Sequence, residues 1–285
     1  MEKIWGVVIL YHPETAVVEN IASYSGQVAK LIVFDNSEPA SGIDLTVLGE
    51  KIVLIADGEN RGIAERLNAA ARMAIEDGAA WLLTMDQDSS FYNGQLTRYL
   101  SCFENFKDRD NVAMFGVTHA EKEQNTTGCV ATATDNLITS GSLVNLNIFR
   151  RINGFDENLF IDEVDFEYCA RSNANGFKTL QFTQVHLNHT LGEIAEHRSL
   201  KTLHKTSRVL HSPLRLYYMV RNFLYVRKKH ATLQTPSFRV KQKDLLHRIK
   251  NNFLYGNDRA RLISFILKGY RHYKKGITGK WRPNN

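Results

Sequence analysis

The chain has 285 residues, 43% hydrophobic and 10% aromatic, enough to bury a large core, and its composition excludes a disordered, collagen-like or coiled-coil protein. No apolar run approaches the ~20 residues a membrane-crossing helix needs. The start, Met1-Glu2-Lys3-Ile4-Trp5, lacks the marks of a secretory leader, so a cytosolic chain is expected. The net charge of +6 hides a split: residues 201–285 hold 21 Lys and Arg against two acids, whereas residues 1–200 hold 15 basic and 28 acidic residues. Uncompensated positive charges repel one another, so the C-terminal third calls for an anionic partner, and charge alone admits nucleic acid or an anionic membrane surface. Cys102, Cys129 and Cys169, without a CxxC pair, argue against a disulfide framework and a structural zinc site and fit a reducing compartment.

The branched run Ile4–Leu10 reads as a strand buried on both faces, followed by a helix over about residues 14–23 and a second buried strand over 31–34. A third strand is expected over 52–56, an Ala-rich amphipathic helix over 62–77, and a fourth strand over 81–85. This order predicts right-handed crossovers and a doubly wound α/β half, in which ligands sit beyond the carboxyl ends of the strands, where strand order reverses. Tyr11, Asp35-Asn36 and Asp86-Gln87-Asp88 stand at such ends. Further on, the pattern predicts a strand over 112–117, a strand pair over 129–132 and 137–139, a helix over 162–173 ending before Gly176, and a strand over 179–186. From Leu203 the apolar residues recur at helical spacing among Lys and Arg. A boundary between Gly192 and Leu203 gives two domains, residues 1–200 and 201–285.

Asp86-Gln87-Asp88 puts two carboxylates on one side of an extended chain after a buried strand, a geometry suited to Mg²⁺ or Mn²⁺ and its bound phosphate oxygens. The plainer reading is a pair of turn-forming acids. A second acidic cluster runs from Phe160 to Glu167; on a helix, Asp162 and Asp165 share one face, and Glu163 and Glu167 another. Asp162 would serve as a helix cap on the plain reading. Its apolar neighbours Phe160, Ile161 and Val164 would equally raise the proton affinity of a general base. His189 is a candidate third ligand to an Asp-bound metal, against the commoner role of a surface or core histidine. Asn60-Arg61-Gly62 offers free backbone N–H groups and a cation near the same end of the sheet, but no dinucleotide fingerprint or P-loop occurs.

Taken in order, VVILY at 7–11, VFDNS at 33–37, NRGIA at 60–64 with Asn68, TMDQDSS at 84–90, SGS at 140–142, GFDE at 154–157 and FIDEVD at 160–165 resemble the family 2 inverting glycosyltransferases of the GT-A fold. TMDQDSSF and FIDEVDFEYCAR most resemble bacterial rhamnosyltransferases of surface-polysaccharide synthesis. The resemblance covers about residues 4–225. It implies a Rossmann-like mixed sheet flanked by helices, and a nucleotide-sugar donor, dTDP-rhamnose. Tyr11 and Asp35 would contact the nucleoside, Asn60 and Arg61 would lie beside base and ribose, and Asp86, Gln87 and Asp88 would serve the diphosphate. Asp86, Asp88 and His189 would hold the metal. The family's Glu-Asp-x-Asp reads Asp162-Glu163-Val164-Asp165 here, which leaves Asp162, Asp165 and Glu163 as candidate bases, Asp162 foremost. Arg215, Tyr217, Tyr218, Arg221 and Asn222 resemble a further family stretch near the active site, where an arginine, Arg221 among them, would neutralise the leaving diphosphate.

The resemblance also implies a lipid-linked glycan acceptor, and the basic helical tail, with Phe265, Tyr270, Tyr273 and Trp281, would hold the enzyme peripherally on the inner face of the bacterial plasma membrane. Homo-oligomerisation stays open. The competing readings are a catalytically silent nucleotide-sugar or glycan-binding scaffold, which the retained acids disfavour, and a nucleic-acid-binding protein, for which no motif is visible. A nucleotidyltransferase would bring a Gly-rich basic N-terminal loop that Tyr11-His12-Pro13 does not supply.

Overall fold

In the computed structural model, which describes residues 2–120, 127–189, 194–198, 205–233 and 236–283, the branched run Ile4–Leu10 forms strand β1. It pairs in parallel with β2 (Lys30–Asp35) on one side and β4 (Trp81–Asp86) on the other, and β2 carries β3 (Ile52–Ile55) at its outer edge. Helices α1 (Val17–Ser25) and α2 (Ile63–Glu76) make the crossovers. The sheet continues through β8 (Ser142–Asn145), β6 (Val112–His119), β9 (Lys178–His189) and β5 (Ser89–Phe91), in the order β3-β2-β1-β4-β8-β6-β9-β5, with β7 (Ala131–Ala133) against β9. β8 runs antiparallel to both β4 and β6, so the sheet is mixed. The chain leaves β1 towards β2 and β3 and returns on the other side of β1 as β4, which puts the reversal of strand order between β1 and β4.

Branched and aromatic residues fill the core. Trp81 meets Phe103 of α3 (Gln95–Glu104) edge-on at 4.8 Å, and Phe115 stacks on Phe182 at 5.3 Å, contacts worth roughly 0.5–1.5 kcal/mol each beyond the area they bury.

Three expectations are corrected within this sheet. The strand pair over 129–132 and 137–139 is replaced by β7 and β8, because the register that pairs Thr84 with Ser142 draws the second strand past residue 139. The acidic helix starts late: α5 spans Val164–Ala174, since Asp162 and Glu163 hold left-handed φ values of 63° and 61°. Those two acids therefore lie off the helix, and Asp162 shares no helical face with Asp165. Cys102 and Cys129 form a disulfide with Cα atoms 5.3 Å apart, contrary to the expected free thiols. Their 27-residue separation carries no motif; packing pairs them, with Arg98 donating to Gly128 O (3.0 Å) and Val130 N to Gln184 Oε1 (2.9 Å).

By packing, the chain forms two units, one of Met1–Phe160 and Val164–Thr190, the other of Ile161–Glu163 and Leu191–Asn285. The second holds an unforeseen antiparallel pair, β10 (Ile194–Arg198) and β11 (Lys205–Val209), and the expected helices α6 (Pro213–Lys229), α7 (Pro236–Tyr255) and α8 (Arg259–Lys275). The rest of the expected boundary region lies outside the described residues. Ser212 accepts from Arg215 N at the start of α6, with Pro213 in the first turn, and Gly276 ends α8 at φ 70°. Leu216 and Met219 of α6 pack on Leu262 of α8. Phe265 is buried and Trp281 lies against it at 5.5 Å, so of the tail aromatics named above Tyr270 is the exposed one. Among the described residues no helix is long and apolar enough to cross a membrane.

Titration of the denatured, unreduced protein is expected to find one thiol per chain, Cys169, and three after reduction; Cys102→Ser is expected to lower unfolding stability by about 2–4 kcal/mol in urea.

Candidate active site

The loops after β1 and β4 are tied by one side chain. Gln87 Oε1 accepts from Tyr11 N (2.7 Å) while its Nε2 donates to Tyr11 O (3.2 Å), and Asn20 Nδ2 donates to Gln87 O (2.9 Å). The Tyr11 ring is left 53% exposed. After β2, Asp35 is fully buried and its two oxygens accept from Ser37 N and from the amide and hydroxyl of Ser41. Burial works to raise its pKa, but these donors together hold the carboxyl below the usual range.

Arg66 of α2 binds this end of the sheet together, a role the sequence did not disclose. Buried at 3% exposure, it donates to Asn36 Oδ1 (2.7 Å), to both oxygens of Asp57 (2.9 and 2.6 Å) and to Glu59 O (2.8 Å). The Arg66 hydrogen bonds, more than burial opposes them, hold the Asp57 carboxyl below its ordinary value. Asn60 Oδ1 accepts from Gly62 N (3.0 Å), and Arg61 is half-exposed among Asp57, Glu59 and Glu65. Gly62, at φ 82°, lies so close to Phe160 that a Cβ there would strike its carbonyl and ring, and Ile63 N donates to Phe160 O (2.6 Å). Asn68 receives Phe155 N (2.8 Å) and donates to Phe155 O (2.9 Å), which fixes the GFDE turn on α2.

At the reversal point stands a cluster of Asp86, Asp88 and His189, whose ligand atoms lie within 4.8 Å of one another, with His189 Nδ1 3.4 Å from Asp88 Oδ1. Pairing of β5 with β9 sets Ser89 opposite His189 and so carries a histidine 101 residues downstream to Asp88. Two carboxylates and an imidazole, open to solvent on one side, fit Mn²⁺ or Mg²⁺. Below them Ser140 precedes Gly141, whose φ of 74° and approach to Val117 (a Cβ would come within 2.8 Å) form a tight turn fastened by Gly141 N to Thr84 O (2.8 Å). His119, at the end of β6, donates from Nε2 to Ser140 O (2.9 Å) and meets the His189 ring edge-on at 5.7 Å. Burial holds His119 below the usual imidazole value, His189 adds to this, and Ser140 and Asp165 oppose it. No signal in the sequence marked His119, a lone histidine at a strand end.

The acidic segment is built differently from expectation. Asp162 Oδ1 accepts from Arg215 Nε (3.0 Å) and Nη2 (2.8 Å), so an arginine stands where apolar surroundings were expected. Asn222 Nδ2 donates to Ile161 O (2.6 Å) and Asp162 O (3.3 Å), and Lys241 Nζ lies 3.9 Å from Glu163. Asp165, in the first turn of α5, accepts from Phe166 N (2.7 Å). Glu167 is buried against Arg171 and serves packing. Arg221 is 1% exposed and donates to Gly279 O (2.7 Å), Tyr217 Oη (3.2 Å) and Asn222 Oδ1 (2.9 Å).

A mixed sheet that carries an Asp-x-Asp at its reversal point and an acidic segment ahead of α5 describes a glycosyltransferase of the GT-A fold. In agreement, the chain superimposes on Staphylococcus aureus TarS 1–349, solved in complex with UDP-GlcNAc, with a TM-score of 0.55 over 96% of this chain and 81% of that one, at 12% identity. No protein-family model matches the sequence. It is 32% identical, across 99% of both chains, to the dTDP-rhamnosyl transferase RfbF of Shigella flexneri. The chain belongs to this rhamnosyltransferase family, and it is a glycosyltransferase.

Arg66→Met strips a buried cation from Asp57 and Asn36 and is expected to cost about 3 kcal/mol in urea unfolding. Because the folded Asp57 pKa is depressed, the pair stabilises above the ordinary carboxylate value and fades below it. The gap between wild type and variant is therefore expected to narrow as the pH falls below about 4.

Proposed function

We propose that the enzyme transfers L-rhamnose from dTDP-rhamnose, with inversion, to a lipid-linked glycan during O-antigen or other cell-surface polysaccharide synthesis. The relation to a dTDP-rhamnosyl transferase along the whole chain carries this reading, and the Asp86, Asp88 and His189 cluster supplies chemistry that suits it. A divalent cation held by these three residues would neutralise charge on the departing nucleoside diphosphate. The exposed Tyr11 ring and the Asn60-Arg61 turn flank the nucleoside, and Asp35 shapes their shared floor through the loop it braces. Asp162 takes the proton from the acceptor hydroxyl. Its left-handed backbone and its fastening to Arg215 and Asn222 hold it in one place, as strained residues at functional sites are held. One base suffices, since a nucleoside diphosphate leaves without protonation. Asp165 and Glu163 are next in line for this role, and Arg221 serves the diphosphate indirectly by setting the α6 frame that carries Arg215 and Asn222.

Turnover is tested across a panel of nucleotide sugars with and without Mn²⁺ or Mg²⁺. Metal-dependent turnover of dTDP-rhamnose is expected, lost in Asp88→Ala, and reduced about 10²–10⁴-fold in kcat with donor binding retained in Asp162→Asn. Preference for another donor would sink the rhamnosyl assignment, and donor binding without any turnover would favour the silent scaffold.

The tail suits an anionic membrane. Exposed Leu246, Phe253, Ile263, Leu267 and Tyr270 on α7 and α8 are interleaved with exposed Lys243, Lys250, Arg271 and Lys274, and each basic residue near a lipid surface contributes about 1 kcal/mol. Charge reversal of these four to Glu is expected to abolish sedimentation with phosphatidylglycerol vesicles; unchanged binding would refute the membrane role.

A further inference from the structure

Asp162 and Glu163 keep a left-handed backbone, which such residues hold only where their surroundings impose it. Residues 161–163 belong by packing to the C-terminal unit, and within that unit the groups that impose the turn can be followed bond by bond. Asn222 Nδ2 donates to Ile161 O (2.6 Å) and Asp162 O (3.3 Å), while Asn222 Oδ1 accepts from Arg221 Nε (2.9 Å). These partners leave the amide one orientation, because a guanidinium N–H only donates and a main-chain carbonyl only accepts. Buried Arg221 is aimed in turn by the end of the chain: its Nη1 donates to Gly279 O (2.7 Å) as well as to Tyr217 Oη (3.2 Å).

The end of the chain is itself fastened. Gly269, where a Cβ would come within 2.7 Å of Tyr217 O, lets α8 close on α6. Gly276 then reverses the chain at φ 70°, with Ile277 N donating to His272 O (2.9 Å). Trp281 N donates to Tyr218 Oη (2.7 Å), and the Trp281 ring lies on Phe265. Residues 279–281 therefore run antiparallel to α6 across Arg221 and Tyr218, which share one face of that helix. We propose that the C-terminal segment 276–281 is a strap that, through Arg221 and Asn222, sets the turn carrying Asp162, so that Arg221 and Asn222 are positioning residues for the base. The inference rests on the reading of Asp162 as that base.

The test uses two variants of the full chain. Asn222→Asp keeps the acceptor for Arg221 and loses only the donor to the turn. Gly279→Val puts a branched side chain on a left-handed φ of 72° and displaces the strap from its far end; it decides the matter if Asn222→Asp does not fold. Both are expected to speed amide hydrogen exchange across residues 160–165. The kcat for sugar transfer is expected to fall about 10²-fold in Asn222→Asp and by less in Gly279→Val, with donor affinity unchanged. Neither variant is expected to lower kcat further in an Asp162→Asn background. Wild-type exchange and kcat in Gly279→Val would overturn the strap, and a loss of undiminished size on top of an impaired Asp162→Asn would overturn the positioning role. Full turnover in Asp162→Asn, with faster exchange in both variants, would instead overturn the base reading and uphold the strap.

Discussion

The structure turns on a topological constraint. Because β4 returns on the far side of β1 from β2, the crossovers α1 and α2 leave from β1 and β3 in divergent directions, and the carboxyl ends of β1 and β4 are left uncovered between them. Polar side chains are collected at that opening: Tyr11 at the end of one strand, Asp86 to Asp88 at the end of the other. The antiparallel β8 then supports β4 from its other side, and the pairing of β5 with β9 delivers His189.

What surrounds the opening is mostly hydrogen bonding of loop to loop. Gln87 binds the loop after β1, Arg66 those after β2 and β3, and Asn68 the turn at Phe155. Buried polar side chains such as Arg66 and Asn68 are expensive unless their donors and acceptors are used, and here they fasten irregular backbone.

The parallel half could be read from sequence because strands buried on both faces are written as unbroken branched runs, as in Ile4–Leu10 and Leu31–Phe34. β7 and β8 could not, being three and four residues long and defined by register rather than periodicity. That Asp86, Asp88 and His189 come together was foreseen from residue type and position. The left-handed turn at Asp162 and Glu163 was hidden, since nothing in those residues announces it; Asn222 holds the backbone there and Arg215 the Asp162 carboxylate, both more than 50 positions away. The same distance effect concealed the cystine: two thiols become partners through tertiary packing alone. The charge split was plain in the composition, but the burial of Phe265 under Trp281 shows that aromatic count alone does not tell which rings a basic helix presents to its surroundings.

The Gln87 clamp has an evolutionary corollary. It grips residue 11 wholly through main-chain N–H and C=O, which every amino acid but proline provides alike. Position 11 can therefore exchange its side chain while the loop keeps its shape; position 87 has no such latitude, because only a primary amide of that reach both gives and receives. Substitution is thus free at 11 and constrained at 87.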